Sequence, residues 1–243
     1  MNICFRLGLI LLIAGLLSCC KSQKIPDIYF ETINSLMLQE DFESKKRFSS
    51  VWENDSHNGL DSYKLEKKHL KITTRATSKD RVKVATKRKD YGVGIYTWQI
   101  YIPKFSPNDR CSVGAFIYHS SDTEYEFDFE IGSGKQKIRE ELNAEENEAV
   151  VYCTSQKSPH NSSRFLVKMN AYSEFKLKLS LVKNAYLVEW YLNGKQLKTL
   201  QTEVPGSVKF SIYASLENLT FMGNHLPEHE NSVLFDRITF QHE

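Results

Sequence analysis

The chain has 243 residues, with 32 Lys and Arg against 30 Asp and Glu and a formal net charge of +2. That balance lacks the concentrated positive surface that nucleic-acid binding requires and excludes that partner class. The seven His residues are scattered and no CxxC or HExxH occurs, so no metal site is expected.

The first element lies outside the expected fold. Arg6 precedes an apolar run from Leu7 to Leu17. The run is shorter than the ~20 residues a membrane-spanning helix needs and has the form of a signal-peptide core. Leu16-Leu17-Ser18-Cys19 resembles the lipobox of bacterial lipoproteins. The resemblance implies cleavage before Cys19, acylation of Cys19 and attachment to a membrane of the bacterial cell envelope. An ordinary signal peptide is the alternative, but no small-x-small cleavage site precedes Lys21. Residues 1–18 are therefore expected to be a signal peptide, 19–28 a lipid-anchored tether and 29–243 a single domain. Loss of the leader removes Arg6 and no acid, leaving 31 basic and 30 acidic residues, a net charge of +1. Of the five cysteines, only Cys111 and Cys153 fall inside the domain. An exported protein can join such a pair, and the sequence leaves the pairing open.

From residue 64 onward the hydrophobic period is two. KLEKKHLKITTRA (64–76) reads as strand, turn, strand, and RVKVATK (81–87) alternates. GIYTWQIYIP (94–103) is a long aromatic strand stopped by Pro103, and SVGAFIYHS (112–120) is a near-continuous apolar one. TEYEFDFEIG (123–132) follows. The highly charged residues 135–149 read as a loop or short helix with a solvated face. AVVYCTS (149–155), RFLVKMN (164–170) and FKLKLSLV (175–182) continue the strands. AYLVEWYLNGKQLKTL (185–200) reads as a hairpin, because Asn193-Gly194 suits a type I′ turn between alternating runs. VKFSIYAS (208–215) and SVLFDRITFQ (232–241) close the series. Many short strands separated by turn signals predict an all-β, two-sheet sandwich.

The strand at 123–132 is the candidate site. Alternation puts Glu126, Asp128 and Glu130 on one face and Phe127 and Phe129 on the other. The outer two Cα atoms of the acidic row lie roughly 13 Å apart. Glu side chains reaching about 4 Å each can close that gap to roughly 5 Å, within the separation used by retaining glycosidases. Mutual repulsion in such a row raises at least one pKa, as a general acid near neutral pH requires. A solvated acidic strand face would carry the same residues.

The acidic row resembles the E-x-D-x-E signature of glycoside hydrolase family 16, the laminarinase, lichenase and xyloglucan-transglycosylase group. Tyr91-Gly92-Val93-Gly94 with Ile102-Pro103, Phe175, Glu189-Trp190-Tyr191-Leu192-Asn193-Gly194 and Phe235-Asp236-Arg237-Ile238-Thr239-Phe240 resemble further elements of that family, in its order. The resemblance implies a concanavalin A-like β-jelly-roll with a cleft across one sheet. It makes Glu126 the nucleophile, Asp128 the assisting acid and Glu130 the acid/base. It places Phe116 and Tyr118 at positions that touch sugar. Thr97 and Gln99 stand where the family has Glu and Arg, Glu124 where it often has Trp, and Tyr213 near a replaced cleft Trp. These four are also expected to contact substrate. Trp52, Trp98 and Trp190 are expected to be structural, with Trp98 in the core.

The reading is a monomeric, lipid-anchored envelope glycosidase acting with retention on a polysaccharide or oligosaccharide, with no cofactor. Parts of the family hold a structural calcium, on which the sequence is silent. A glycan-binding lipoprotein without activity, a transglycosylase, and a surface adhesion protein without a glycan site remain alternatives.

Overall fold

The computed structural model describes residues 37–58 and 62–243. The expected signal peptide, the expected lipidation at Cys19 and the expected tether lie outside the described residues. In chain order the elements begin with strand β1 (Met37–Glu40), helix α1 (Lys45–Val51), β2 (Trp52–Asn54), β3 (Tyr63–Glu66), β4 (His69–Thr74) and β5 (Arg81–Thr86). Next come β6 (Gly94–Ile102), β7 (Cys111–His119), β8 (Tyr125–Gly132), helix α2 (Gln136–Glu141), β9 (Glu148–Ser155) and β10 (Asn161–Lys168). The last are β11 (Ala171–Val182), β12 (Ala185–Leu192), β13 (Lys195–Pro205), β14 (Ser211–Asn218) and β15 (Asn231–Gln241).

The strands form two antiparallel sheets stacked as a jelly-roll β-sandwich. The front sheet has seven strands in the order β10-β9-β8-β7-β14-β5-β2. The back sheet has eight, in the order β13-β12-β11-β6-β15-β4-β3, with β1 paired to the far half of β15. The expected two-sheet architecture is therefore present.

Alternation builds the core. Tyr96, Trp98 and Ile100 of β6 point inward from the back sheet and Phe127 and Phe129 of β8 from the front, all 0% exposed. The rings of Phe129 and Phe175 meet edge to face across the gap at 5.3 Å. All three tryptophans are buried, and two tie the layers together. The Trp98 indole N–H donates to the Tyr213 carbonyl at 2.9 Å, and that of Trp190 to the Asp128 carbonyl at 3.0 Å. Buried indole N–H groups need such partners, and here each partner is the backbone of a strand that carries the site.

Hairpin turns set the register. Asn193 and Gly194 both have positive φ, at 49° and 77°, as a type I′ turn requires. The same geometry occurs at Lys67-Lys68 and Lys183-Asn184, where residue type offers a weaker turn signal. Helix α1 is unexpected. Ser44 caps it by accepting from the Arg47 N–H at 3.3 Å, and Phe48 stacks on Trp52 at 6.2 Å. Cys111 and Cys153 are both free and buried. They lie on β7 and β9 with β8 between them, and Cys153 is level with Ala115, four residues from Cys111, so the pair is more than roughly 10 Å apart and a disulfide cannot bridge it.

Candidate active site

β8 sits between β7 and β9, so its outward face is framed on both sides by paired strands. Across the front sheet, Tyr118 is opposite Glu126, Phe116 opposite Asp128 and Gly114 opposite Glu130. β14 continues the rows with Ser211 beside Tyr118, Tyr213 beside Phe116 and Ser215 beside Gly114. β5 then places Lys83 beside Ser215 and Arg81 beside Glu217. The result is a cleft of about 690 Å³, with Glu126 and Glu130 in its wall and Asp128 fully buried beneath them.

The aromatic residues form a platform beside the acids. Phe116 and Tyr213 stack at 4.6 Å with planes 10° apart, and Tyr118 meets Tyr213 edge-on at 6.0 Å. With Ala85 they form a small apolar patch separate from the main core. Glu124 is exposed at the cleft mouth and accepts from the Tyr118 hydroxyl at 2.7 Å. Seven of the nine expected site residues thus share this face. Thr97 and Gln99 do not, which corrects that expectation. They project from β6 on the outer face of the back sheet, because Trp98 between them fills the core.

Other cleft residues come from strands distant in sequence. Gln156 donates to Asp128 Oδ2 at 2.7 Å. The Ser112 hydroxyl donates to Glu130 Oε2, and the Arg81 guanidinium to Glu217 Oε2. Lys83 Nζ stands 3.8 Å from Asp55, and Leu219 and Phe221 close the end of the cleft. Glu217 and Lys83 could be read from sequence only as alternating strand residues. Nothing local ties them to residue 126.

Burial dominates the electrostatics. It raises Glu130 well above the usual carboxylate range; the charges of Glu217 and Asp128 add to this, and the Ser112 hydrogen bond opposes it. Glu126 is raised by burial, then by Asp128 and Glu217, with Lys83 opposing. Asp128 is pushed up to about 6 by burial, against hydrogen bonds from Gln156 and Thr154. Glu126 and Asp128 titrate as a pair: one carboxyl ionises near 6 and the other only above it. The site therefore offers one ionised carboxylate and one undissociated acid, Glu130, near neutral pH. Among the described residues, no cluster of His, Cys, Asp or Glu is arranged to hold a metal ion.

Gly114 gives the carboxyl of Glu130 its room. A Cβ there would lie 2.3 Å from Ser215 Oγ and 3.2 Å from Glu130 Oε1. Gly114→Ala is expected to cost about 1–3 kcal/mol and to lower kcat. The double variant with Ser215→Ala should recover much of both, measured by melting temperature and turnover. A Gly114→Ala protein with unaltered kcat and stability would rule out this tight approach.

No protein-family model matches the sequence, and no curated protein matches it either. Solved structures do. A Bacillus licheniformis β-glucanase superimposes with a TM-score of 0.61 at 14% identity, covering 85% of this chain and 98% of that one. An endo-acting O-glycanase of the human gut microbiota that initiates mucin breakdown gives 0.64 at 10% identity, covering 85% and 99%. The carbohydrate recognition domain of Emp46p, in its potassium-bound form, gives 0.59 at 13% identity, covering 85% and 96%. These likenesses establish the fold. It is a jelly-roll sandwich used both by glycan-cleaving enzymes and by a carbohydrate-recognition domain, so function must be argued from the cleft.

Proposed function

We propose that the protein is an endo-acting glycosidase of the family 16 type, cleaving β-linked polysaccharide with retention and held at the bacterial cell envelope by lipid on Cys19. The observation that carries this reading is the row Glu126, Asp128, Glu130 in an open cleft beside an aromatic platform. A binding protein gains nothing from a row of three carboxyls with Asp128 and Glu130 buried, whereas two-step glycoside hydrolysis needs one carboxyl as nucleophile and one as acid.

In the first step the proton that Glu126 and Asp128 share passes to Asp128 as Glu126 attacks the anomeric carbon. The glycosidic C–O bond breaks, and Glu130 gives its proton to the leaving oxygen. In the second step Glu130 takes a proton from water. The water oxygen displaces Glu126 from the same carbon, restoring both carboxyls. A sugar hydroxyl in place of water would make the reaction a transglycosylation. The raised pKa of Glu130 suits the acid role, and Tyr118, half-buried edge-on to the Phe116–Tyr213 stack, offers ring surface to a pyranose.

The test is a panel of β-linked polysaccharides with wild type and Glu126→Gln, reading reducing ends, product anomer and chain lengths. Wild type should release β-configured products, and the variant should be slower by at least about 10³-fold. Hydrolysis that survives the substitution would remove Glu126 from the nucleophile role. The fold likeness to a carbohydrate-recognition domain favours a second reading, glycan binding without cleavage. Wild type that binds a glycan but releases no reducing ends from any polysaccharide would select it.

A further inference from the structure

The outer face of the back sheet carries a groove of about 580 Å³ that the cleft chemistry does not use. Strands β11, β6 and β15 line it in register. Thr97 lies between Lys176 and Thr239, Gln99 between Glu174 and Arg237, and Tyr101 between Tyr172 and Leu234. Between Phe235 and Arg237 the register of β15 shifts by one residue. Phe235 and Ile238 stay in the core, so Asp236 and Arg237 in succession face outward. Bulges of this kind re-aim side chains at functional surfaces.

The groove has one prominent aromatic, Tyr172, which is 45% exposed. Its ring is held in place. It stacks on His69 at 6.2 Å, packs edge-on to Tyr101 at 5.3 Å, and its hydroxyl lies 2.8 Å from His69 Nε2. His69 Nδ1 is 2.7 Å from the Lys67 carbonyl and donates to it, while Nε2 meets the Tyr172 hydroxyl and lies 3.5 Å from Asp236 Oδ1. Beside this ring stand amides, hydroxyls and a guanidinium with no internal work. Among the described residues, none hydrogen-bonds or ion-pairs with the side chains of Thr97, Gln99, Arg237, Thr239 or Gln241.

We infer that this groove is a second glycan-binding site, in which a hydroxyl-rich sugar chain stacks on Tyr172 and is hydrogen-bonded by Gln99 and Arg237. An immobilised aromatic face matches the apolar face of a pyranose. An amide offers both a donor and an acceptor to a hydroxyl, and a guanidinium fork can bond two neighbouring ones. The site lies on the layer of the sandwich opposite the acidic row. Two sites on one polymer raise the effective concentration of either. The inference goes beyond the cleft reading and does not require cleavage.

The test is affinity electrophoresis of Glu126→Gln/Tyr213→Ala protein through gels containing barley mixed-linkage β-glucan, laminarin or pig gastric mucin. The Tyr213 change weakens the cleft, and the part of the retention that falls on changing groove residues reports the groove. Adding Tyr172→Ala or, separately, Arg237→Ala should weaken that retention at least tenfold; both side chains are exposed, and melting temperatures confirm folding. Retention by none of the three glycans, or retention unchanged by both additions, overturns the inference. Failure of the cleft reading is distinct: wild type would release no reducing ends while the Tyr172 dependence persisted.

Discussion

Glu130→Gln is expected to make the protein more stable above neutral pH while lowering glycan cleavage by about 10²–10⁴-fold. Glu130 is 6% exposed, and burial, then Glu217 and Asp128, hold its pKa well above the ordinary value. Between the unfolded-state value near 4.3 and that raised value, the folded chain binds more protons than the unfolded chain. Stability therefore falls as pH rises through this window. The Glu126–Asp128 pair behaves alike: its first ionisation is displaced upward to about 6, so it too loses stability as pH rises through that value. Gln at 130 cannot ionise, yet still accepts from the Ser112 hydroxyl. At pH 4 the variant and wild type should melt together. At pH 8 the variant should melt higher, by roughly 2–4 °C for each kcal/mol gained. Calorimetry at the two pH values decides it. An equal offset at both, or a lower melting point at pH 8, would mean that Glu130 carries no buried charge.

Trp190→Ala should cost about 3–5 kcal/mol, the range for deleting a large buried aromatic. Trp190 is 0% exposed, and its ring meets Phe127 edge-on at 6.3 Å. Its N–H holds the Asp128 carbonyl, and Lys198 Nζ lies 4.7 Å over the ring. That ammonium also donates to the Cys153 and Asn161 carbonyls, each at 2.8 Å, which ties β13 to strands beside the acids. The alanine variant would open a cavity beneath the site. Trp190→Phe keeps one aromatic ring in the core and removes the N–H together with the rest of the indole, so it loses far less packing than alanine does. It should lose about 1–2 kcal/mol and lower kcat with KM nearly unchanged. A phenylalanine variant with wild-type kcat would show that the hydrogen bond holds the fold but not the acidic strand.

Much of this site was legible in the sequence. The alternation at 125–132 correctly placed three acids on one face and Phe127 and Phe129 in the core, because strand geometry makes facing a local property. Asn193-Gly194 announced its turn for the same reason, since positive φ is cheap there. Thr97 and Gln99 show where local reading stops. Their alternation with Trp98 was read correctly, but the face they share belongs to the back sheet. That depends on β6 pairing with β11 and β15. Glu217, Lys83 and Phe221 reach the cleft by the same kind of non-local pairing.

The sequence by itself determined which side chains share a strand face and that one such face holds three carboxyls two residues apart. The tertiary structure alone decided which faces meet. It stacked Phe116 on Tyr213, set Glu217 against Glu126 and Glu130, and separated the acidic cleft from the groove at Tyr172. The physical reason is range. Backbone geometry dictates facing within a strand, whereas the order of strands in a sheet follows from the burial of whole faces contributed by residues far apart in the chain.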